Sequence, residues 1–116
     1  MDDILKQSLL YDFYGELLTP HQKEIYEDFV LNDLSLGEIA MEQGISRQGV
    51  HDLVKRCNKL LNGYEEKLHL VEKFTLTKSK ITDICSLVDD YESKTGEINT
   101  TIEQVKVIAN EILDNY

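Results

Sequence analysis

With 116 residues, 22 acidic side chains against 12 Lys and Arg, and a net charge of −10, the chain is one domain, or one domain with an appended element, long enough for a real core. That charge works against strong, indiscriminate nucleic-acid binding, which comes from cations neutralising phosphates. Six Gly, a single Pro and no alternating runs of Val, Ile and Thr make an all-α chain the expectation.

Residues 3 to 18 carry Ile4, Leu5, Leu9, Leu10, Phe13, Tyr14, Leu17 and Leu18 at helical spacing, a stripe wide enough to meet more than one neighbour. Tyr11, Phe13 and Tyr14 could stack on bases, but aromatics at helical spacing belong far more often to a core. They are read as core, with a subunit contact open to Tyr11 or Tyr14. Next, Thr19 caps a second helix, Pro20 suits its first position and Gln22 completes a capping box. This helix is expected to run to about Asn32, with Ile25, Tyr26, Phe29 and Val30 inward and Lys23, Glu24, Glu27 and Asp28 in water.

Leu34 to Leu61, LSLGEIAMEQGISRQGVHDLVKRCNKLL, reads as a short helix, a tight turn and a longer helix. Ser35 and Glu38 form a capping box, Leu36, Ile39 and Ala40 follow the i, i+3, i+4 spacing, and Gly44 is the residue best able to end the helix in a left-handed conformation. Ile45 plugs the corner and Ser46 caps again. Val50, Leu53, Val54, Cys57, Leu60 and Leu61 then share one face. This is the pattern of a helix-turn-helix, whose second helix enters the major groove with its outward residues, here Arg47, Gln48, His51, Asp52 and Lys55. The plain alternative is an αα-corner that merely packs. Between Ile45 and Leu60, Arg47, Lys55, Arg56 and Lys59 face a single acid, Asp52. The basic patch and the recognition helix coincide, although a solvated helix face would look the same.

Beyond Leu61 the spacing continues through Tyr64, Leu68, Val71 and Phe74, with Gly63 a mild weakness. One helix from about Arg47 to Lys73 is expected, projecting past the compact head, and its exposed stripe needs a partner. Leu76, Ile81, Ile84, Leu87, Val88 and Tyr91 form a further amphipathic helix, and Gly96 lies in a break. Thr100 with Glu103 then opens a last helix that buries Ile102, Val105, Ile108, Ala109, Ile112 and Leu113. Whether the chain turns at Thr75–Lys78 stays open. The expected organisation is a helix-turn-helix domain with an extended last helix over residues 1–74 and an antiparallel helical hairpin over 75–116. The wide N-terminal stripe and the long helix together predict a homodimer.

No apolar run is long enough to span a membrane, and the acidic Met1-Asp2-Asp3 start is unlike a secretory signal, so a cytoplasmic protein is expected. Cys57 and Cys85 fall among apolar residues and read as small buried hydrophobes, with no spacing for a metal. No cofactor motif is visible. His21, His51 and His69 stand on exposed or capping positions without a catalytic companion, so no enzyme is expected.

Residues 17 to 61 are similar to region 4 of bacterial sigma factors, in which an L-T opening precedes an S-x-x-E-I-A helix and a G-I-S-R start of the recognition helix. Over residues 4 to 74, YDFYGELLT, DLSLGEIA, ISRQGVHD and YEEKL resemble more closely the YlxM family of small helix-turn-helix proteins of Gram-positive bacteria. That resemblance implies a regulatory role in the signal recognition particle pathway, an assignment that rests in the family on neighbouring genes and supplies no catalytic residues. The sigma-like pattern carries over to Arg47, Gln48, His51, Asp52 and Lys55, with Asp52 the departure.

Two functions follow as expectations. A nucleic-acid-binding regulator would read base edges with Arg47 or Gln48 and place Lys55, Arg56 and Lys59 on phosphates, with His51 on the same face. An adaptor would instead bind the signal recognition particle's RNA or protein through that face or the long helix, using shape and backbone contacts.

Overall fold

Local hydrogen bonds set where several helices of this chain begin. The Gln22 N–H donates to Thr19 Oγ1 at 3.3 Å while the Thr19 N–H donates to Gln22 Oε1 at 3.0 Å. Ser35 and Glu38 repeat that reciprocal pair at 3.1 Å each way. Ser46 Oγ accepts from the Gly49 N–H at 2.9 Å. Each bond satisfies a backbone N–H that the first turn of a helix leaves without a partner.

A computed structural model describes residues 3–96 and 99–115. Those residues form α1 (Asp3–Tyr14), α2 (Pro20–Val30), α3 (Leu36–Gln43), α4 (Arg47–Leu68), α5 (Leu70–Thr95) and α6 (Thr100–Asp114), with no strand among them. The all-α expectation holds. No helix among the described residues is long and apolar enough to cross a membrane. The chain divides into two compact units, residues 1–71 and 72–116.

In the first unit α4 is the common wall, packing against α1, α2 and α3. Its Val50, Val54, Cys57 and Leu61, spaced four, three and four, are buried. They meet Leu10 and Tyr14 of α1, Ile25 and Tyr26 of α2 and Ile39 of α3 in one core. Leu60, expected on that face, is exposed instead, and Ile45 closes the corner only in part.

The first helix is shorter than its apolar stripe suggests. It stops at Tyr14, and Gly15–Leu17 make a 3-10 turn that carries Leu18 into the core and leaves Leu17 outside. Gly15 is needed there because a Cβ would stand 2.7 Å from the Tyr11 ring. Tyr11 and Tyr14 are spent inside the unit rather than at a subunit contact. The Tyr11 ring stacks on Tyr26 with centroids 5.7 Å apart, and its hydroxyl donates to Glu27 Oε1 at 2.5 Å. The Tyr26 hydroxyl donates to Asn58.

α4 does not run to Lys73 as its periodicity suggests. It ends at Leu68, and His69 takes the left-handed conformation at φ 56°. The reason lies far away in sequence. The Tyr14 hydroxyl donates to Glu65 Oε1 at 2.6 Å and accepts the Leu70 N–H at 3.1 Å, while Glu65 Oε1 accepts the Val71 N–H at 3.0 Å. These two side chains cap the first N–H groups of α5, so a new helix starts where the old one could have continued. The end of α4 is thereby tied to α1 and does not project free of the head.

In the second unit α5 passes straight through Thr75–Lys78 and ends at Gly96, whose φ is 65°. α6 is capped by Asn99 rather than Thr100, the Asn99 Oδ1 accepting the Thr101 and Ile102 N–H groups. Lys106 Nζ lies 2.8 Å from Glu92 Oε1 and 3.5 Å from Asp89 Oδ1, joining the two helices as an antiparallel hairpin. Ala109 is buried, whereas Val105, Ile108 and Ile112, expected inside, are exposed. Cys57 is buried as expected, but Cys85 is only half-buried.

Candidate nucleic-acid interface

α3 ends at Gly44 in the left-handed conformation, φ 66°, and the Ile45 N–H donates back to the Ala40 carbonyl at 3.2 Å. Two residues later Ser46 caps α4. With one face of α4 fixed in the core, the opposite side is committed to solvent. Arg47, Gln48, His51, Asp52, Lys55, Arg56 and Lys59 are all exposed there. The structure thus brings every basic and polar residue expected on this surface to one helix, over its first four turns.

The polar groups at the start of the helix are partly engaged with each other. Gln48 Nε2 donates to Asp52 Oδ1 at 3.0 Å, and His51 Nδ1 stands 3.6 Å from the same oxygen. Asp52 therefore draws on its two neighbours rather than on the cations. Arg47, Lys55, Arg56 and Lys59 make no ion pair among the described residues, which leaves their charge directed at solvent.

Sequence reasoning stopped this surface too early. A shallow depression lower on α4 is lined by Arg56, Lys59, Leu60, Gly63, Tyr64 and Lys67, and it adjoins another lined by Asp52, Lys55, Arg56 and Lys59. The signal was present as a four-residue spacing. Lys55, Lys59, Gly63 and Lys67 form one row along the helix, with the missing side chain of Gly63 opening bare backbone between two cations. On α3, Glu38 and Glu42 are exposed, and this is the helix that crosses the phosphate backbone when such motifs dock on duplex DNA.

Two capped helices meeting through a left-handed glycine, the second of them fixed by its apolar face and basic on the other, define a helix-turn-helix domain. The chain belongs to the UPF0122 family, described as "Putative helix-turn-helix protein, YlxM / p13 like", whose model matches residues 1–106. It is 43% identical over 114 residues to a UPF0122 protein of Desulforamulus reducens, covering 98% of this chain and 96% of that one. A UPF0122 protein of Caldanaerobacter subterraneus subsp. tengcongensis is 55% identical over 83 residues, which is 72% of this chain and 71% of the relative. A third, from Acetivibrio thermocellus, is 41% identical over 117 residues, covering 99% of this chain and all of the relative, 100%.

Proposed function

We propose that the protein binds nucleic acid through the outward side of α4. Arg47 and Gln48 read base edges, His51 sits beside them, and Lys55, Arg56 and Lys59 contact phosphates. The observation that supports this reading is the set of four exposed cations without an ion-pair partner among the described residues, on one helix of a chain whose net charge is −10. Where acids outnumber bases, surface cations are expected to find partners; these remain available to phosphates. The resemblance of YDFYGELLT, DLSLGEIA and ISRQGVHD to the YlxM family supports a regulatory role for this binding in the cytoplasmic signal recognition particle pathway.

A second reading has a specific observation behind it. Glu38 and Glu42 on α3, with Asp52 at the head of α4, oppose phosphates where a duplex would cross, whereas Lys55, Arg56, Lys59 and Lys67 run farther down the helix. That distribution suits an adaptor holding the particle's RNA by its backbone and shape, with its proteins nearby.

Fluorescence anisotropy with random duplex DNA and with the particle's RNA hairpin, titrated across salt concentrations, tests both. Lys55→Ala should weaken binding to every sequence and make the salt slope shallower by about one unit. Arg47→Ala should cost about 1–3 kcal/mol and relax sequence preference on DNA, but leave RNA binding sequence-neutral under the adaptor reading. Absence of binding to either nucleic acid at low salt would reject both.

A further inference from the structure

The shallow depression on α4 has a volume of about 280 Å³, and Leu60, Gly63 and Tyr64 form its apolar part. Leu60 is exposed. Tyr64 is half-buried, with its ring against Tyr14, centroids 6.0 Å apart. The hydroxyls of Tyr11, Tyr14 and Tyr26 are taken by Glu27, Glu65 and Asn58, whereas that of Tyr64 bonds to none of the described residues. Gly63 weakens the helix it sits in, yet a Cβ there would meet nothing within 4 Å. Packing inside the head therefore gives no reason for a glycine; its missing side chain leaves the depression flat. Lys59 stands one turn before Gly63 and Lys67 one turn after it, with Arg56 one turn before Leu60. All three cations are exposed and make no ion pair among the described residues.

We propose that this depression takes one unpaired nucleotide of an RNA, its base on Leu60 and Gly63 beside the Tyr64 ring and its two flanking phosphates on Lys59 and Lys67. The inference deepens the second reading above and rests on it. Charge selects the occupant. An apolar floor alone would suit many side chains, but a base within a strand carries a phosphate on each side, and cations flank this floor at both ends along the helix. A peptide has to bring each carboxylate on a separate side chain. A paired base does not fit, because in an A-form helix its faces are stacked and its major-groove edge lies out of reach of side chains. Bases in bulges and loops are unstacked and free to lie on an aromatic ring. The depression is just smaller than the roughly 300–1,000 Å³ of pockets for drug-sized molecules, which suits a single ring system. The Tyr64 hydroxyl adds a hydrogen bond to the base edge, a group that every base presents, so the site is tolerant of sequence. The strand continues over the adjoining depression, where Lys55 and Arg56 take the next phosphate.

Two RNA hairpins that differ only by a bulged 2-aminopurine nucleotide, titrated with the full chain, test this. The bulged hairpin should bind about tenfold tighter than the fully paired one, as the stacking of one base provides. Its 2-aminopurine emission should change on binding the parent chain and not on binding Tyr64→Leu. Since Tyr64→Leu also disturbs the contact with Tyr14, Gly63→Ala provides the second arm. That variant should gain helix stability, yet lose most of the preference for the bulge by raising the floor, with affinity for the paired hairpin unchanged. Equal affinity for the two hairpins, or a preference that Gly63→Ala leaves intact, would overturn the nucleotide site while leaving nucleic-acid binding through α4 in place. Binding to neither hairpin at low salt would overturn both. Displacement of the bulged hairpin by an equimolar acidic peptide bearing tyrosine would assign the depression to a protein segment and overturn the proposal as well.

Discussion

Tyr11, Tyr14 and Tyr26 do more than fill the head. Each phenol is pushed above its ordinary value of 10.0, first by burial, with Glu27 reinforcing the effect at Tyr11, Glu65 at Tyr14 and Cys57 at Tyr26. The fold therefore favours the neutral phenols. Their contribution to stability is complete below the unfolded value near pH 10 and is lost as pH rises through the higher folded values. Urea unfolding followed from pH 8 upward should show the midpoint falling once pH passes about 10, and tyrosinate absorbance should grow together with unfolding rather than ahead of it. The two thiols give a second test. Cys57 is fully buried, and that burial raises its thiol against the opposing influence of Arg56, whereas Cys85 is half-buried. A thiol reagent should modify Cys85 first in the native protein, with Cys57 protected until unfolding. The caps at Thr19, Ser35 and Ser46 were legible in the sequence because their partners lie three residues away. The bond from Tyr14 to Glu65 was not, because its partners are 51 positions apart.

At the level of helices, two glycines make opposite predictions. Gly44 holds φ 66° with open space where a side chain would stand, so strain alone opposes substitution, and Gly44→Ala should destabilise by about 1 kcal/mol. Gly63 lies inside α4, and a Cβ added there would likewise meet nothing within 4 Å, but its backbone is helical. Gly63→Ala should therefore stabilise by about 0.5–1 kcal/mol. Urea midpoints of the two variants should move in opposite directions. If Gly63→Ala also weakens RNA binding while gaining stability, the bare backbone between Lys59 and Lys67 is a contact surface. The starts at Thr19, Ser35 and Ser46 and the end at Gly44 were legible, whereas the end of α4 and the start of α5 were not. Periodicity carried α4 past Leu68 because Val71 and Phe74 keep the spacing, and nothing local announces that His69 turns left-handed. The Asn99 cap could have been found, since Asn ranks with Ser and Asp above Thr at that position.

Across the whole chain, the division between a well-buried head and a thinly buried hairpin explains why the candidate site was only partly legible. Arg47 to Lys59 could be placed because the apolar face of α4 is unambiguous and leaves one side for solvent. The open face of the hairpin could not. Periodicity identifies Val105, Ile108 and Ile112 as apolar, but a single partner helix covers a narrower arc than the apolar residues occupy, and the surplus appears only once α5 and α6 are paired. The joint at His69 has a further consequence for the order in which the protein takes shape during synthesis. Its break is imposed by Tyr14 together with Glu65, and Tyr14 leaves the ribosome long before Glu65 and Leu70, so the hydroxyl is already made when the junction emerges and α4 packs against α1. A peptide of residues 47–95 lacks that hydroxyl, and amide exchange should find it helical without interruption through His69. The separation into two helices is thus an instruction written in the first segment made and carried out only when the middle of the chain arrives.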